Sequence, residues 1–489
     1  MTVHLRRLDA RIERDNRRVL LRALVYSTEQ HGQNILSRVL AVPQTQISDL
    51  LQSVMNLFEE RHEGLLSLFL ERYEQVRHLL PSDQKICSER KALAGAYFYS
   101  EYALESAALF NPSIVLHPDQ SNLPSGKVRF LLSLRGTGEG HISSVGFRSG
   151  ELDSEGEIVL DPVSRFAVEP RRVTNPVYEK KLFGKKLFEL GLASPFSRRV
   201  CEHLGEHFTL EELRNSLTRE RWRDRSLSAE PANPALDDAI LALAISNYEV
   251  VFRKDQPLSE RIIFPSTPSQ RNGIEDARFV RFESEDEDTR YYATYTAYDG
   301  RLVLPQLIET NDFVSFRFIT LNGPDAHNKG MALFPRRVNG HYAMLGRQGG
   351  ENIRLMLSDN IHFWYESEVV VRPRYPWELV QIGNCGSPLE TKEGWLVLSH
   401  GVGPMRRYCL GAYLLDLEDP RRLIGRLAEP LLIPTETERE GYVPNVVYSC
   451  GGLIHNGLLT LPYGISDQAV RFASVDLDSL LRELTKTPC

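Results

Sequence analysis

The sequence is poor in the features that mark secreted, membrane-spanning and nucleic-acid-binding proteins. Its six cysteines are scattered through 489 residues without a CxxC pair, so free thiols in a reducing cytoplasm fit better than a disulfide framework or structural zinc. No stretch approaches the roughly 20 apolar residues of a membrane span, and the N-terminus lacks the apolar core of a signal peptide. The formal net charge of −7 provides no basic surface for nucleic acid or for an anionic membrane. These absences predict a cytoplasmic protein without nucleic-acid or membrane partners.

Cofactor motifs are missing as well. The sequence has no P-loop and no GxGxxG fingerprint, so nucleotide use is not supported. Its His, Asp, Glu and Cys residues show no convincing metal-ligand spacing. We therefore expect neither a metal nor an organic cofactor.

The first hundred residues are predicted to be helical. Apolar residues recur at spacings of three and four within 50–58 and 65–76, which is the period of an amphipathic helix. A helix-turn-helix is one interpretation of this region and an interaction or dimerisation element is the other, which the balanced charge favours. We predict an N-terminal helical domain at 1–107 and a homo-oligomer formed through its helices.

From residue 108 the pattern changes to short strands. Apolar runs alternate with turn signals at intervals of about 8–12 residues, which is typical of sandwiches, barrels and propellers. A helix-like segment at about 178–248, with a capping box at Thr209–Glu212, interrupts the strands as an insertion. Five repeated modules fit 108–485, so the predicted fold is mainly β, a five-bladed β-propeller with an N-terminal helical domain and a helical insertion.

Two adjacent carboxylates open the second module. Glu275 and Asp276 follow the flexible Asn272-Gly273 and precede Arg278. Because neighbours in a strand point to opposite faces, we expect one carboxylate to enter the channel and the other to be held by Arg278. An enclosed carboxyl group can have a raised pKa and act as a general acid on a glycosidic oxygen. The spacing alone favours an ordinary structural Glu/Asp/Arg network over this chemistry.

Aromatic and basic residues recur at the predicted strand ends. Aromatic faces stack on sugar rings and carboxylates accept hydrogen bonds from hydroxyls, a set that here includes Tyr298, Asp299, Tyr408, Tyr448 and Asp467. The neighbouring cations match the oxygens of inorganic phosphate, namely Arg301, Lys329 and Arg347. Each of these residues taken alone fits core packing or surface solubility, and a lone histidine such as His400 is usually structural.

The ordered motifs resemble glycoside hydrolase family 130. The run Glu-Asp-Ala-Arg corresponds to the family's Glu-Asp-Pro-Arg signature, and a Tyr-Tyr-Ala-Thr-Tyr-Thr-Ala-Tyr strand follows it. The matching segments lie at 275–278, 291–299, 328–345, 399–402, 408–416, 441–448 and 463–467. This family consists of five-bladed β-propellers that act on β-mannosides, so the resemblance implies an enzyme that cleaves β-manno-oligosaccharides, by inverting phosphorolysis to mannose 1-phosphate.

The resemblance also implies roles for individual residues. Asp276 would be the general acid, working directly or through a sugar hydroxyl, and inorganic phosphate would be the co-substrate. Phosphate would be held by Arg301, Lys329, Arg347 and His400. The oligosaccharide would contact Asn111, Glu275, Arg278, Tyr298, Asp299, Tyr408, Asn445, Tyr448 and Asp467.

Two alternatives stay open at this point. Some family members are hydrolases, and a β-mannosidase would activate water with a carboxylate, for which Glu438 and Glu440 are the candidate bases. A non-catalytic glycan-binding propeller is the other alternative, because the signature proline is Ala277 and Gly346 stands where the family commonly has histidine.

Overall fold

Five antiparallel sheets follow one another along the chain and make the protein mainly β. The computed structural model describes residues 3–80, 86–173, 176–227, 234–284 and 289–486. The first sheet contains Ala108–Leu116, Val128–Thr137, Ser143–Leu152, Ile158–Leu160 and Ile262–Ile263. The second contains Ile274–Phe282, Arg290–Tyr298, Val303–Thr310, Ser315–Thr320, Tyr248–Val251 and Arg171–Arg172.

The remaining three sheets are built from successive hairpins in the same way. The third contains Ala332–Leu333, Tyr342–Gly346, Ile353–Ser358 and Ser367–Val371. The fourth contains Gln381–Asn384, Leu389–Thr391, Gly394–Val402, Tyr408–Leu415 and Leu423–Arg426. The fifth contains Val447–Tyr448, Leu453–His455, Leu458–Ile465, Ala469–Asp476 and Leu5–Glu13.

Apolar clusters join each sheet to the next. One cluster packs Phe147 of the first sheet against Phe279 of the second, with ring centroids 6.1 Å apart. Similar clusters join the second sheet to the third, the third to the fourth and the fourth to the fifth. A further cluster packs Phe130 of the first sheet against Phe472 of the fifth. The sheets are therefore in contact in cyclic order.

The chain's first described strand completes the last sheet. Leu5–Glu13 pairs antiparallel with Ala469–Asp476, with a register shift between Leu8 and Arg11. The helical prediction is therefore wrong for these residues and for Val19–Ala23, which forms a hairpin with Tyr99–Ala103. The buried Leu8 and Ile12 are four residues apart, a spacing that places two residues on one face of either a strand or a helix, so the local pattern does not distinguish the two.

Helices occupy the rest of the N-terminal region. The four helices are α1 (Glu29–Ala41), α2 (Gln44–Phe58), α3 (Leu65–Val76) and α4 (Ser88–Ala96). They share a core that includes Leu36, Phe69 and Leu93. The helical prediction is confirmed for these segments because their apolar residues do form one buried face.

The predicted insertion is also helical. It contains α5 (Lys180–Glu189), α6 (Pro195–Glu202), α7 (Leu210–Leu227) and α8 (Pro234–Ile245), with a small hairpin of Val177–Glu179 and His207–Thr209. The capping box is present, since the Thr209 amide donates to Glu212 at 2.7 Å and the Glu212 amide donates to the Thr209 hydroxyl at 3.3 Å. A last helix, α9 (Leu477–Lys486), packs on the fourth and fifth sheets.

Candidate active site

The candidate site forms where two strands leave their regular pairing. In Ile274–Phe282 the register shifts between Glu275 and Arg278, and Asp276 within this bulge has φ of 53°. The first strand of the first sheet has the same irregularity at Asn111, with φ of 51°. Asp and Asn tolerate this left-handed conformation better than most residues. The two bulges bring the residues together, and the Asn111 amide donates to the Asp276 carboxylate.

The bulge also changes the relation between Glu275 and Asp276. Strand alternation predicted opposite faces, but Arg135 donates to Glu275 at 3.0 Å and to Asp276 at 3.3 Å. The prediction is wrong because the bulge breaks the alternation. Both carboxylates face one guanidinium, which comes from the first sheet.

Arg278 connects three sheets behind this pair. Its guanidinium donates to the Cys385 carbonyl at 2.7 Å and to the Tyr448 hydroxyl at 2.8 Å. It lies 3.8 Å from the Asp276 carboxylate and is buried. Arg278 therefore positions the centre of the site, and Tyr448 is held there by it.

The two aspartates of the site have opposite pKa shifts. Burial would raise the pKa of Asp276, but the charges of Arg135 and Arg278 outweigh burial and lower the pKa below its ordinary value. Burial and the negative charge of Asp276 raise the pKa of Asp467 to about 6, against the opposing effect of Arg135. Asp276 is therefore ionised at neutral pH. Asp467, with its pKa of about 6, titrates close to neutral pH.

Cations from the third sheet and the loop before it complete the cluster. The Lys329 ammonium pairs with Glu275 and lies 5.7 Å from the centre of the Tyr298 ring. Arg347 donates to the Nε2 atom of His400 at 3.0 Å. Among the described residues, no carboxylate pairs with Arg347. It is therefore a cation available to an anionic ligand.

His400 is a neutral member of this cluster. Burial, followed by the charges of Arg347 and Arg278, lowers the pKa of His400 well below its ordinary value. Its Nε2 accepts from Arg347, and its ring stacks on Tyr408 with centroids 5.8 Å apart. His400 therefore orients Arg347 and does not add a positive charge.

Some residues predicted to contact the saccharide or phosphate lie in turns or contact other parts of the protein. The Asp299 carboxylate accepts from the backbone amides of Arg301 and Leu302 at 2.8 and 2.7 Å, so it closes a turn. Arg301 is exposed at this turn. The side chain of Asn445 accepts from Arg439 at 2.7 Å, and its carbonyl accepts from the Tyr408 amide at 3.1 Å.

The two predicted bases are not part of the cluster's contacts. Glu438 is buried, accepting from the Tyr463 hydroxyl at 2.8 Å, from the Thr435 amide at 2.9 Å and from Arg7 at 3.3 Å. Both of its oxygens are thus used to fix the N-terminal strand and a turn. Glu440 is exposed. Both residues thus lie outside the contacts that the described residues make around Asp276, and their assignment as bases stays a prediction.

Arg135 is the residue of the site that the sequence alone did not assign. It lies opposite Phe110 in the first hairpin, next to Asn111, and its guanidinium packs on the Phe110 ring at 5.0 Å. Its signal was a single arginine at the end of the apolar run Phe-Leu-Leu-Ser-Leu. Gly346 also has a structural reason, since a Cβ there would lie 2.6 Å from the Gln348 side chain, which fills that space.

Within the described ranges, no group of three or more His, Cys, Asp or Glu side chains is arranged to hold a metal ion. In the same part of the chain, no helix has the length and apolar character needed to cross a membrane.

Comparison with known proteins supplies the family. The family model described as beta-1,4-mannooligosaccharide phosphorylase matches residues 242–486. A 1,2-beta-oligomannan phosphorylase of Thermoanaerobacter sp. is 33% identical over 249 residues, 49% of this chain and 79% of that protein. A Beta-1,4-mannooligosaccharide phosphorylase of Ruminococcus albus is 32% identical over 166 residues, 32% of this chain and 50% of that protein.

One solved structure is similar to this chain over most of its length. The Beta-1,2-mannobiose phosphorylase of Listeria innocua, in complex with beta-1,2-mannobiose, is 20% identical with a TM-score of 0.45, over 78% of this chain and 93% of that one. The matched range 242–486 contains Asp276, Lys329, Arg347 and Asp467, while Asn111 and Arg135 precede it. The family match covers half of the chain, and the chain belongs to glycoside hydrolase family 130.

Proposed function

We propose that this protein cleaves β-mannosidic linkages by inverting phosphorolysis, using inorganic phosphate and releasing mannose 1-phosphate. The observation that carries the proposal is the arrangement around Asp276. Its carboxylate is held by Asn111 and Arg135, and Glu275 beside it pairs with Lys329. A candidate acid next to cations is what transfer of a sugar to phosphate requires. The names of the relatives favour the same reaction.

We also propose that the five sheets are the blades of a propeller. The cyclic order of the apolar clusters supports this architecture. The site would then lie at the shared end of the first strands, with the N-terminal helical domain and the insertion outside the ring. The cytoplasmic location and a homo-oligomer through the N-terminal helices stay predictions.

The proposed reaction breaks one bond and forms one. A phosphate oxygen attacks the anomeric carbon as the bond from that carbon to the glycosidic oxygen breaks. The proton of Asp276 passes to the leaving oxygen, directly or through a sugar hydroxyl. Phosphate is negatively charged and would pair with cations that lower the pKa of Asp276, including Lys329. This pairing would weaken their effect on the pKa of Asp276. Bound phosphate and the exclusion of water therefore both favour the protonated acid.

Hydrolysis is the competing reaction. It would require a carboxylate that activates water, placed roughly 6.5–9.5 Å from the acid. Glu438 is committed to Tyr463, Thr435 and Arg7, and Glu440 is exposed. These contacts favour phosphate over water as the attacking group.

The deciding experiment measures products with and without phosphate. β-1,2-linked and β-1,4-linked mannobiose are each incubated with the protein, and mannose 1-phosphate and mannose are quantified. We expect mannose 1-phosphate that increases with phosphate and almost no mannose in its absence. Free mannose at the same rate without phosphate would establish a mannosidase. Saccharide binding without either product would establish a glycan-binding protein.

A further inference from the structure

A second cavity lies away from Asp276, between the helical insertion and the second sheet. Its volume is about 270 Å³. Tyr178, Phe183 and Lys186 of the insertion form one wall, and Phe318 and Thr320 of the sheet form another. The strand Ser315–Thr320 is the fourth in that sheet, counted from Ile274–Phe282, which carries the acid. The cavity is therefore separate from the candidate active site.

Lys186 and Arg317, which line this cavity, are both paired with carboxylates. The Lys186 ammonium pairs with Glu189 at 2.9 Å. Arg317 pairs with Glu249 at 3.5 Å and with Glu309 at 3.4 Å. Because Lys186 and Arg317 each have a carboxylate partner, and Glu179 adds a further carboxylate to the lining, the walls offer donors and acceptors but neither cation is left unpaired. Such walls suit a neutral polar ligand better than an anion.

Aromatic rings add a second kind of recognition. Tyr178 and Phe183 line the cavity beside the charged pairs. Tyr178 is 5% exposed, and its hydroxyl has no hydrogen-bond partner in the described parts of the chain. A buried phenol normally has one. Apolar ring faces next to hydrogen-bonding polar groups match a sugar, and the volume suits one or two rings.

The cavity is connected to Lys329 through the insertion. Glu189 uses one oxygen for Lys186 and the other to accept from the Gly323 amide at 2.7 Å. Gly323 follows Asn322, which also lines the cavity. The loop 322–331 starts at this contact and leads to Lys329. Glu189 therefore anchors the first end of the loop that supplies a cation to the active site.

The other end of the loop is held at the active site. The Asn328 side chain donates to the carbonyls of Arg347 and Gln348 at 3.2 and 2.9 Å. The next residue, Lys329, pairs with Glu275. A displacement at Gly323 would thus be transmitted to the residues that we propose to hold phosphate.

We propose that this cavity is an accessory binding site for a neutral mono- or disaccharide, and that its occupation stabilises the loop that carries Lys329. A sugar hydroxyl bonded to Lys186 holds α5 against the sheet and maintains the contact between Glu189 and Gly323. The saccharide and phosphate then strengthen each other's binding, because coupling between two sites is reciprocal. The part that concerns phosphate rests on the proposed function, whereas the saccharide site does not.

The first experiment counts binding sites by titration calorimetry with D-mannose and β-1,2-mannobiose. Val177→Trp fills the cavity mouth, since Val177 lines it and is 53% exposed. Val159→Trp is the matched control, an exposed strand valine of the first sheet outside the cavity lining. We expect Val177→Trp to bind one saccharide fewer per chain than the wild type and the control. Equal stoichiometry in all three proteins would overturn the proposal.

A second variant that blocks the cavity tests whether a loss of binding in Val177→Trp comes from misfolding. His207→Trp narrows the same cavity from the exposed first position of the strand His207–Thr209, and we expect it to lose the same binding event. Circular dichroism establishes that each variant is folded before titration. Retention of the event in a folded His207→Trp protein would contradict the site.

The coupling is tested with inorganic phosphate as the probe. Glu189→Ala removes the anchor at Gly323, and Glu202→Ala is the control because Glu202 is an exposed residue of α6. We expect the Kd for phosphate to rise about fivefold in Glu189→Ala and to stay unchanged in the control. An unchanged Kd would overturn the coupling. If the wild type binds no phosphate, the proposed function fails, while the loss of a saccharide in Val177→Trp still establishes the cavity site.

Discussion

The side-chain amide of Asn111 donates to the carboxylate of Asp276 across the boundary between the first and second sheets. Both residues lie in strand bulges and both have left-handed backbone conformations. The contact fixes one oxygen of the proposed acid and, together with Arg135, favours its ionised form. Proton donation by Asp276 therefore depends on ligands that displace these stabilising charges.

Replacing Asp276 by asparagine tests the acid directly. The amide keeps the shape of the side chain but has no acidic proton, so we expect kcat for phosphorolysis to fall about 10²–10⁴-fold. Asp153→Asn is the control, because Asp153 accepts only from backbone amides in a turn of the first sheet and asparagine can do the same. Wild-type kcat in a folded Asp276→Asn protein would refute the assignment.

Arg135→Gln tests the role of the arginine that contacts both carboxylates. Loss of its charge raises the pKa of Asp276, since Arg135 is the main charge that lowers it. Because the acid must be protonated, we expect the falling limb of kcat/KM to move to higher pH. We also expect the maximum to drop about 10–100-fold, because Glu275 and Asp276 lose their shared donor. Arg129→Gln, on the same strand but paired with Glu151, should leave the profile unchanged. An unshifted limb in Arg135→Gln would contradict this role.

Arg347→Lys tests phosphate recognition. A lysine keeps the charge but cannot reproduce the planar fork that bonds to His400 and that we propose to hold phosphate oxygens. We expect KM for phosphate to rise about tenfold and KM for the saccharide to change little. Arg354→Lys is the control, since Arg354 bonds only to Ser367 in the described residues. Equal effects on both substrates would indicate general damage to the site instead.

The raised pKa of Asp467 leads to a prediction about the free energy of unfolding. Its pKa is raised to about 6 in the folded protein by burial and by Asp276, so folding disfavours its ionised form. The destabilisation is absent at low pH, where the carboxyl is protonated in both states, and grows until the pH passes about 6. Asp467→Asn removes it. We expect the variant to be more stable by about 1–3 kcal/mol at pH 8 and by little at pH 4.

Thermal unfolding at the two pH values measures this difference. Asp9→Asn, at an exposed position of the strand Leu5–Glu13, is the control. A stability gain that is equal at both pH values, or larger at pH 4, would show that the charge of Asp467 is not the cause.

The sequence predicted the composition of the site better than its geometry. Ordered motifs contain or adjoin Asp276, Lys329, Arg347 and His400. The structure brings these residues into one connected network. The pairing of Glu275 and Asp276 was predicted wrongly, because a bulge in a strand leaves no trace in apolar alternation. Arg135 was missed for a related reason. Its partners are about 140 residues away in the chain, and nothing local indicates that contact.

The same limit applies at the N-terminus and at Glu438. The strand Leu5–Glu13 finds its partner at Ala469–Asp476, so a distant strand determines a structure that the local pattern does not distinguish from a helix. Arg7 of that strand then reaches Glu438. Glu438 therefore stands next to a conspicuous motif and also contacts the first strand of the last sheet, and these contacts favour a structural role over that of the predicted base.

Glu438→Gln distinguishes these two interpretations. The amide weakens the contacts with Arg7 and Tyr463 and places a donor where both oxygens now accept. We expect a loss of about 1–3 kcal/mol in the free energy of unfolding, and kcat within twofold of the wild type in the folded protein. Glu440→Gln, at an exposed position two residues away, should alter neither quantity. Thermal unfolding and phosphorolysis assays of both variants give these values. A water-activating base contributes to the rate and not to the stability of the fold. A large fall in kcat without loss of stability, in either variant, would therefore show that its carboxylate acts in catalysis. Hydrolysis would then be the favoured reaction.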